Sequence, residues 1–152
     1  MTTTTLCYLI KDNKYLMLHR TKKERDINAG KFIGVGGHVE EGESPIDCIK
    51  REVFEETGFR LNHVKTRGYL TFVMGAQTEH TILFTSDDFQ GTLKADCEEG
   101  ELVWVDIDRI NELNLWEGDV TFLKLLKERD DFFSVKLVYD SEDKLIDSVI
   151  EE

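Results

Sequence analysis

Four glutamates and one arginine lie close together in one short stretch of the chain: Glu43, Arg51, Glu52, Glu55 and Glu56. Like charges at the spacing of Glu52 and Glu56 repel one another on a helix and destabilise it by a few tenths of a kcal/mol. A solvated acidic surface is one interpretation of this cluster. The other is a site for a hard divalent cation such as Mg²⁺, which prefers oxygen ligands.

The residues that flank the acids predict a helix that presents them together. Ser44 and Pro45 form a helix start, because a hydroxyl that caps free N–H groups precedes a residue whose fixed φ suits the first helical position. Gly58 is a stop signal, because many helices end at a left-handed glycine. We therefore expect a helix from Pro45 to about Thr57.

At about 100° per residue, this helix has two adjoining faces. Ile46, Ile49 and Val53 share an arc that we expect to pack on a hydrophobic core. Cys48 lies on the adjoining arc, together with the three glutamates of the helix. The sequence thus predicts one apolar face and one acidic face.

A glycine-rich segment, residues 34–42, precedes the helix. It fails the dinucleotide-binding fingerprint, because Val39 stands where a glycine is needed. Gly37 and Gly42 have the spacing of a phosphate-binding P-loop, but Glu43 stands where that motif needs lysine. An acid cannot neutralise phosphate, whereas a metal held by carboxylates can. Diphosphate bound to magnesium is the ligand that suits this arrangement of charges.

Together these residues resemble the Nudix box: Gly, five residues, Glu, seven residues, Arg-Glu, an aliphatic residue, any residue, Glu-Glu, any residue, Gly and a hydrophobic residue. Every fixed position is matched, by Gly37, Glu43, Arg51, Glu52, Val53, Glu55, Glu56, Gly58 and Phe59. The resemblance implies an α/β (α+β) Nudix fold, in which a mixed β-sheet is sandwiched between α-helices and the box forms a loop–helix–loop. We expect a single Nudix hydrolase domain over residues 1–152.

The resemblance also implies which residues hold the metal. Glu52, Glu55 and Glu56 are expected to bind Mg²⁺, with Mn²⁺ as a possible substitute, and to count among the catalytic residues. The carbonyl oxygen of Gly37 is the further ligand that the family adds.

The catalytic roles follow from the same resemblance. Arg51 is expected to pair with Glu43 and to hold the loop on the helix rather than contact substrate. Nudix enzymes use a glutamate as the general base, either within the box or in a later loop. Glu55, Glu56 and Glu99 all remain candidates for that role.

Composition limits the partners of the protein. A chain of 152 residues is expected to form one domain. Its net charge of −12 argues against a nucleic-acid polymer as partner, but not against a single nucleotide that arrives with Mg²⁺. The cysteines Cys7, Cys48 and Cys97 are widely spaced, as is typical of reduced thiols in the cytoplasm. The N-terminal residues show no signal peptide or membrane span, so we expect a cytoplasmic protein. We expect it to be a monomer or a homodimer.

A basic segment stands out in this acidic chain; its cations are Arg20, Lys22, Lys23, Arg25 and Lys31. One interpretation is a solvated loop. The other is an electropositive rim that attracts substrate phosphates, with Arg20 and Lys23 as the candidate contacts.

The segment Leu-Trp-Glu-Gly-Asp, residues 115–119, resembles the MutT-like branch of the family. That branch hydrolyses oxidised purine nucleoside triphosphates, such as 8-oxo-dGTP, to the monophosphate and pyrophosphate, and so cleans the nucleotide pool that feeds DNA synthesis. Trp116 matches a tryptophan that stacks on the base, and Asp119 matches an acid that reads the base edge. Ordinary core packing is the other interpretation of Trp116. The chain departs from that branch at Ile33, where an Asn is expected, and at Gly118, where a first acid is expected.

Three hypotheses follow. The first is a nucleoside triphosphate pyrophosphohydrolase. The second is a hydrolase of another nucleoside diphosphate derivative, such as ADP-ribose. The third is a nucleotide-sensing module without activity, which the complete set of acids argues against.

The remaining elements are predicted from hydrophobic alternation and turn residues. Between the helix and residue 105 we expect strands at Phe59–Thr66, Gly68–Met74 and Thr78–Thr85, followed by a long acidic loop over Asp87–Glu101. The rest are strands at Thr3–Ile10, Tyr15–His19, Phe32–Val35 and Leu102–Val105, helices at Asp106–Leu113 and Val120–Glu128, and a terminal hairpin formed by Phe132–Tyr139 and Lys144–Ile150.

Overall fold

The computed structural model of the protein describes residues 2–21, 28–95 and 97–152. Its elements, in chain order, are β1 (Thr2–Lys11), β2 (Lys14–His19), β3 (Phe32–Ile33), β4 (Val35–His38), α1 (Pro45–Thr57), β5 (Phe59–Met74), β6 (Gln77–Gly91), β7 (Glu101–Asp106), a 3₁₀ helix (Ile107–Glu112), α2 (Glu117–Glu128), β8 (Phe133–Tyr139) and β9 (Leu145–Glu151). None of the described helices is long and apolar enough to cross a membrane.

The strands form a mixed sheet around β1. This strand is antiparallel to β4 and parallel to β6, and β6 pairs with β5 in the antiparallel direction. The sheet continues through β8, which is parallel to β5, to β9. A smaller ladder of β7, β2 and β3 joins β1 at the hairpin where Ile10 pairs with Tyr15. The predicted mixture of parallel and antiparallel pairing is confirmed.

Two hydrophobic cores lie on opposite faces of this sheet, because alternate residues of a strand point to opposite sides. Cys7 and Leu9 of β1 are buried with Ile49 of α1. Tyr8, between them, is buried in a second core that includes Phe122 of α2. The two helices therefore cover opposite faces, and the expected sandwich is confirmed.

Helix α1 begins and ends as predicted. The Ser44 hydroxyl accepts a hydrogen bond from the Asp47 N–H at 3.0 Å, and the Asp47 carboxylate accepts one from the Ser44 N–H at 3.1 Å. Gly58 ends the helix with a φ of +86°. A side chain there would also collide with the Thr92 carbonyl oxygen, which lies 2.5 Å from the position of a Cβ atom. Only glycine meets both conditions.

The prediction for the apolar face of α1 is wrong at one position. Ile46 is 43% exposed, whereas Cys48, expected on the acidic arc, is completely buried. The helix turns Cys48 toward β4, where its thiol lies 3.4 Å from the His38 carbonyl oxygen and 3.2 Å from the Thr5 hydroxyl.

The predicted loop over Asp87–Glu101 is wrong in its first part. Strand β6 continues to Gly91, because its last residues pair with the beginning of β5, for example Leu61 with Phe89. The Phe89 ring packs 4.9 Å from the Phe59 ring, centroid to centroid. The two strands expected at Phe59–Thr66 and Gly68–Met74 are one strand, β5, with irregularities in its pairing.

Candidate active site

Arg51 joins the loop before α1 to the helix. Its guanidinium donates two hydrogen bonds to the Glu43 carboxylate, at 2.7 and 2.9 Å, and one to Glu52 at 2.7 Å. It also reaches Glu55 at 3.3 Å and the His38 carbonyl oxygen at 3.2 Å. The fork on Glu43 is the geometry in which arginine binds carboxylates best. The Arg51 fork holds the pKa of Glu43 at about 2, well below its usual value.

Gly37 provides the surface against which Glu52 lies. A Cβ atom at Gly37 would be 2.6 to 2.8 Å from the carboxylate atoms of Glu52, so no larger residue fits without displacing this acid. The Gly37 carbonyl oxygen, expected as a metal ligand, accepts a hydrogen bond from the Thr5 hydroxyl at 3.2 Å. Burial raises the pKa of Glu52, and Arg51 opposes that rise.

Glu56 is the acid with the least compensation. One of its carboxylate oxygens, Oε2, is buried and has no hydrogen-bond partner in the described part of the chain. Burial, and then the neighbouring carboxylate of Glu99, raise the pKa of Glu56 to about 9. Glu99 comes from the loop before β7 and accepts a hydrogen bond from Arg20 at 3.1 Å. A positive charge placed beside such a buried carboxyl group would stabilise its ionised form.

These acids line a cleft of about 610 Å³, which we call the acidic cleft; the charged residues on its walls are Glu52, Glu55, Glu56, Lys94, Glu98 and Glu99. As the side chains stand, the described residues contain no three His, Cys, Asp or Glu groups arranged around one metal position. Arg51 bonds one oxygen of each of two carboxylates, Oε1 of Glu52 and Oε2 of Glu55, so the second oxygen of each remains for a metal. The donor set itself fits a hard divalent cation, because it consists of carboxylates and includes the unpaired oxygen of Glu56.

A second cavity, of about 330 Å³, lies on the face of the sheet that α2 covers; we call it the aromatic pocket, and its walls include Thr4, Ile33, Phe72, Trp116, Asp119 and Tyr139. Trp116 precedes α2, and its ring meets the Tyr139 ring edge to face at 5.5 Å. The Lys31 ammonium lies 5.3 Å from the centre of the Trp116 ring. The pocket thus offers an aromatic surface with polar groups around it, as ligand sites generally do.

Asp119 is buried, with 6% of its surface exposed. Burial raises its pKa to about 7, although the positive charge of Lys31 opposes the rise. The departure at Gly118 has a steric explanation. A Cβ atom there would lie 2.6 Å from the Tyr139 hydroxyl, which accepts a hydrogen bond from the Gly118 N–H at 2.8 Å. An acid at position 118 does not fit this packing.

The structure brings Glu52, Glu55, Glu56 and Glu99 to one cleft, and Trp116 and Asp119 to one pocket. The sequence predicts Arg20 on an electropositive rim. In the structure its guanidinium is directed at Glu99, and its side chain is only 14% exposed. Lys23, the other predicted phosphate contact, lies outside the described residues, as do Lys22 and Arg25.

Sequence reasoning missed several residues of these cavities, and two of them carry polar groups that matter for the sites. Glu98 adds a further acid to the acidic cleft, and its position next to Glu99 was the available signal. Asn28 lies on the wall of the aromatic pocket and accepts a hydrogen bond from the Trp116 indole N–H at 2.7 Å. Nothing in the sequence indicates that Asn28 and Trp116 are in contact.

Comparison with known proteins decides the family. The model of the NUDIX domain matches residues 1–126 of the chain. The chain belongs to the Nudix hydrolase family. The Nudix box, expected from the sequence, is therefore the loop and helix that carry Arg51, Glu52, Glu55 and Glu56.

Other Nudix proteins resemble the chain over much of its length. The oxidized purine nucleoside triphosphate hydrolase of Mus musculus is 32% identical over 112 residues, which cover 72% of this chain and 71% of that protein. The Nudix hydrolase YvcI of Bacillus subtilis is 28% identical over 148 residues, or 93% of this chain and 89% of that protein. The crystal structure of a MutT protein from Bacillus halodurans superposes with a TM-score of 0.90 over 99% of this chain and 98% of that chain, at 24% identity.

Membership of the family sets the general chemistry. Nudix hydrolases act on small nucleotide substrates and generally use a divalent metal. The acidic cleft and the aromatic pocket are accordingly the candidate sites for the metal with its phosphates and for the base.

Proposed function

We propose that the protein is a Mg²⁺-dependent hydrolase that converts a nucleoside triphosphate with a purine base, such as 8-oxo-dGTP, into the monophosphate and pyrophosphate. One observation carries this proposal: the acidic cleft and the aromatic pocket both border β4. Gly37 of this strand lies against Glu52 of the cleft, and its neighbour His38 lines the pocket. A nucleotide with its base in the pocket would therefore have its phosphates near the cleft.

In the acidic cleft, we propose Glu52 and Glu56 as the principal metal ligands, with Glu55 and the Gly37 carbonyl completing the set. When bound, Mg²⁺ would neutralise the phosphates and acidify water, which makes attack on phosphorus feasible at neutral pH. Arg51 would orient Glu52 and the loop rather than contact substrate, since its guanidinium already binds Glu43 and Glu52. Mn²⁺ is a suitable substitute, because it accepts the same oxygen ligands.

Glu99 is the candidate that the geometry favours as general base. It lies beside Glu56, so its carboxylate would stand next to the proposed metal site, where a base is needed to accept a proton from the attacking water. Its hydrogen bond with Arg20 would hold the carboxylate in a fixed orientation. Glu55 is less suited, because its side chain is 58% exposed and is held by Arg51.

In the aromatic pocket, Trp116 would stack on the base and Asp119 would hydrogen-bond the base edge. Stacking on an aromatic side chain contributes about 1–3 kcal/mol per base. The name of the Mus musculus relative supports a purine substrate. Ile33 and Gly118 supply no polar side chain where the MutT-like branch has an Asn and an acid. Asp119 would therefore make the hydrogen bonds to the base edge without help from these two positions.

Identification of the products tests the proposal most directly. Ordinary and oxidised nucleoside triphosphates, together with ADP-ribose, are incubated with the protein and Mg²⁺, and the products are separated by anion-exchange chromatography. The proposal predicts pyrophosphate and a nucleoside monophosphate from a purine triphosphate. Two monophosphates from ADP-ribose alone would favour the diphosphate-derivative hypothesis, and absence of any product would favour a nucleotide-sensing module.

A Glu56→Gln variant tests the metal role. It removes the carboxylate that Glu56 would offer to a bound cation but keeps the shape of the side chain, so turnover with Mg²⁺ should fall by a factor of about a hundred or more. The fold should be retained, as judged by circular dichroism. Glu112→Gln is the matched control, because Glu112 pairs with Arg109 on the surface. Near-normal turnover in Glu56→Gln would remove this residue from the metal site.

A further inference from the structure

Asn28 contacts Trp116, the proposed base-stacking residue, but it has no role in the function proposed so far. Its backbone is fixed by a turn in which the Lys31 N–H donates to the Asn28 carbonyl oxygen at 2.8 Å. Gly30, the third residue of that turn, has a φ of +77°, the value that a type II turn requires there. The sequence Asn28-Ala-Gly-Lys31 therefore sets the position of the Asn28 side chain locally.

The turn is also attached to the segment that carries Trp116. The Asn114 side-chain amide donates to the Gly30 carbonyl oxygen at 3.0 Å, and the Lys31 ammonium donates to the Asn114 side-chain oxygen at 3.2 Å. The Phe32 N–H donates to the Asn114 carbonyl oxygen at 2.9 Å. The hydrogen bonds with Asn114 therefore fix the turn that carries Asn28 relative to the segment that carries Trp116.

The Asn28–Trp116 hydrogen bond fixes the rotation of the indole. The indole N–H is a donor only and has one direction, so an acceptor at 2.7 Å restrains the plane of the ring. The Lys31 ammonium near the ring and the edge of Tyr139 restrain it further. A ring that is already oriented loses less conformational freedom when a base stacks on it.

We propose that Asn28 is a positioning residue for the base: its side-chain oxygen holds the Trp116 indole in the orientation that stacks on a purine. This inference rests on the proposed nucleotide site. It assigns a role in base binding to a residue outside both the Nudix box and the segment of residues 115–119. Asn28 acts through Trp116, so its effect should fall on substrate affinity and not on the chemical step.

Two substitutions at position 28 test this role. Asn28→Leu removes the acceptor while keeping the size of the side chain, and Asn28→Asp keeps an acceptor in the same place. With 8-oxo-dGTP and Mg²⁺, Asn28→Leu should raise KM about tenfold and leave kcat within about twofold, because only part of the stacking is lost. Asn28→Asp should return KM to within about threefold of the original value. Asn62→Leu is the control, because Asn62 bonds Asp88 at an exposed site on β5.

A second measurement needs no substrate. In a Trp104→Phe background, Trp116 supplies the tryptophan fluorescence, and acrylamide quenching reports how freely its indole is reached. Acrylamide quenching of Trp116 should be stronger in Asn28→Leu than with the original side chain. In Asn28→Asp it should return to the value measured with asparagine at position 28. Unchanged quenching and unchanged KM in Asn28→Leu would overturn the proposal. An equal rise of KM in Asn28→Leu and Asn28→Asp would overturn it as well. If the original protein hydrolyses no nucleoside triphosphate, the proposed function fails, and the quenching test still decides whether Asn28 holds Trp116.

Discussion

At the scale of single residues, Arg51 explains how the chain tolerates so many acids on one helix. A single guanidinium donates to the carboxylates of Glu43, Glu52 and Glu55, and the rise of the Arg51 pKa reflects first its hydrogen bonds with Glu43. Glu56 is outside this network. The carboxylate that Arg51 does not reach is therefore the one with the strongest physical demand for an added cation.

An Arg51→Lys variant should separate the charge of Arg51 from its geometry. Lysine keeps the positive charge but cannot form the fork on Glu43 while also reaching Glu52. Loss of a group that orients a metal ligand generally costs about 10–100-fold in metal affinity or activity. We therefore expect the Mg²⁺ concentration for half-maximal turnover to rise by about that factor. Arg109→Lys is the matched control, because Arg109 forms a similar fork on the exposed Glu112.

Asp119 makes a prediction about stability and pH. Its pKa in the folded protein is raised from 3.8 to about 7, mainly by burial. As the pH rises from about 4 to 7, the unfolded chain releases this proton while the folded protein retains it. The stability that Asp119 contributes should therefore be highest below pH 4 and fall as the pH approaches 7. At 1.36 kcal/mol per pKa unit, the total loss is at most about 4 kcal/mol.

Urea unfolding of an Asp119→Asn variant at pH 4.5 and pH 8 would measure this effect. The variant should be more stable than the original protein at pH 8, and the difference should shrink at pH 4.5, where the buried carboxyl is already neutral. Asp147→Asn, at an exposed position on β9, provides the control. The same stability difference at both pH values would contradict a raised pKa at Asp119.

At the scale of elements, the ends of α1 were predictable because they depend on local chemistry. Ser44 caps the helix through its own hydroxyl, and Gly58 ends it through its own φ. The face that α1 buries was only partly predictable. Ile46 is exposed and Cys48 is buried, because Cys48 lies against the Gly37 and His38 carbonyl oxygens of β4. A helical wheel contains no information about the partner strand.

Contacts between distant segments were the least predictable part of the site. Glu99 was a named candidate, but its hydrogen bond with Arg20 joins residues that lie far apart in sequence. The bond between Asn28 and Trp116 is of the same kind. The extension of β6 was missed because Asp87 and Asp88 are poor strand formers, and the pairing of Phe89 with Leu61 outweighs that local preference.

A Ser44→Ala variant tests the contribution of the helix cap. Removing the hydroxyl leaves the Asp47 N–H without its acceptor, which should cost about 0.5–2 kcal/mol of unfolding free energy in urea. Because Ser44 and Asp47 cap each other, the double variant Ser44→Ala/Asp47→Ala should lose less than the sum of the two single losses. Additive losses would mean that the two hydrogen bonds act independently. Activity at saturating Mg²⁺ should change little, since neither side chain lines the acidic cleft.

At the scale of the whole molecule, the sheet brings two different environments to one strand. The acidic cleft is formed by α1 and the loop before β7, whereas the aromatic pocket lies toward α2. Strand β4 pairs with β1, lines the aromatic pocket with His38 and lies against Glu52 of the acidic cleft at Gly37. A Cβ atom would collide with the Thr5 backbone at Gly36 and with the Glu52 carboxylate at Gly37, so these glycines let β4 lie close to both residues.

The charge of the whole molecule makes the last prediction. With a net charge of −12 and several acids in one cleft, the folded protein should bind Mg²⁺ much more tightly than the unfolded chain does. Mg²⁺ at a hundred times its Kd would add about 2.7 kcal/mol of stability, which raises the Tm of a domain of this size by about 5–10 °C. Differential scanning fluorimetry with MgCl₂, and with NaCl at equal ionic strength, measures the specific part of this shift. The shift should be largely lost in Glu56→Gln and kept in Glu112→Gln. An equal shift in both variants would mean that Mg²⁺ acts by general screening of the acidic surface and not through the cleft.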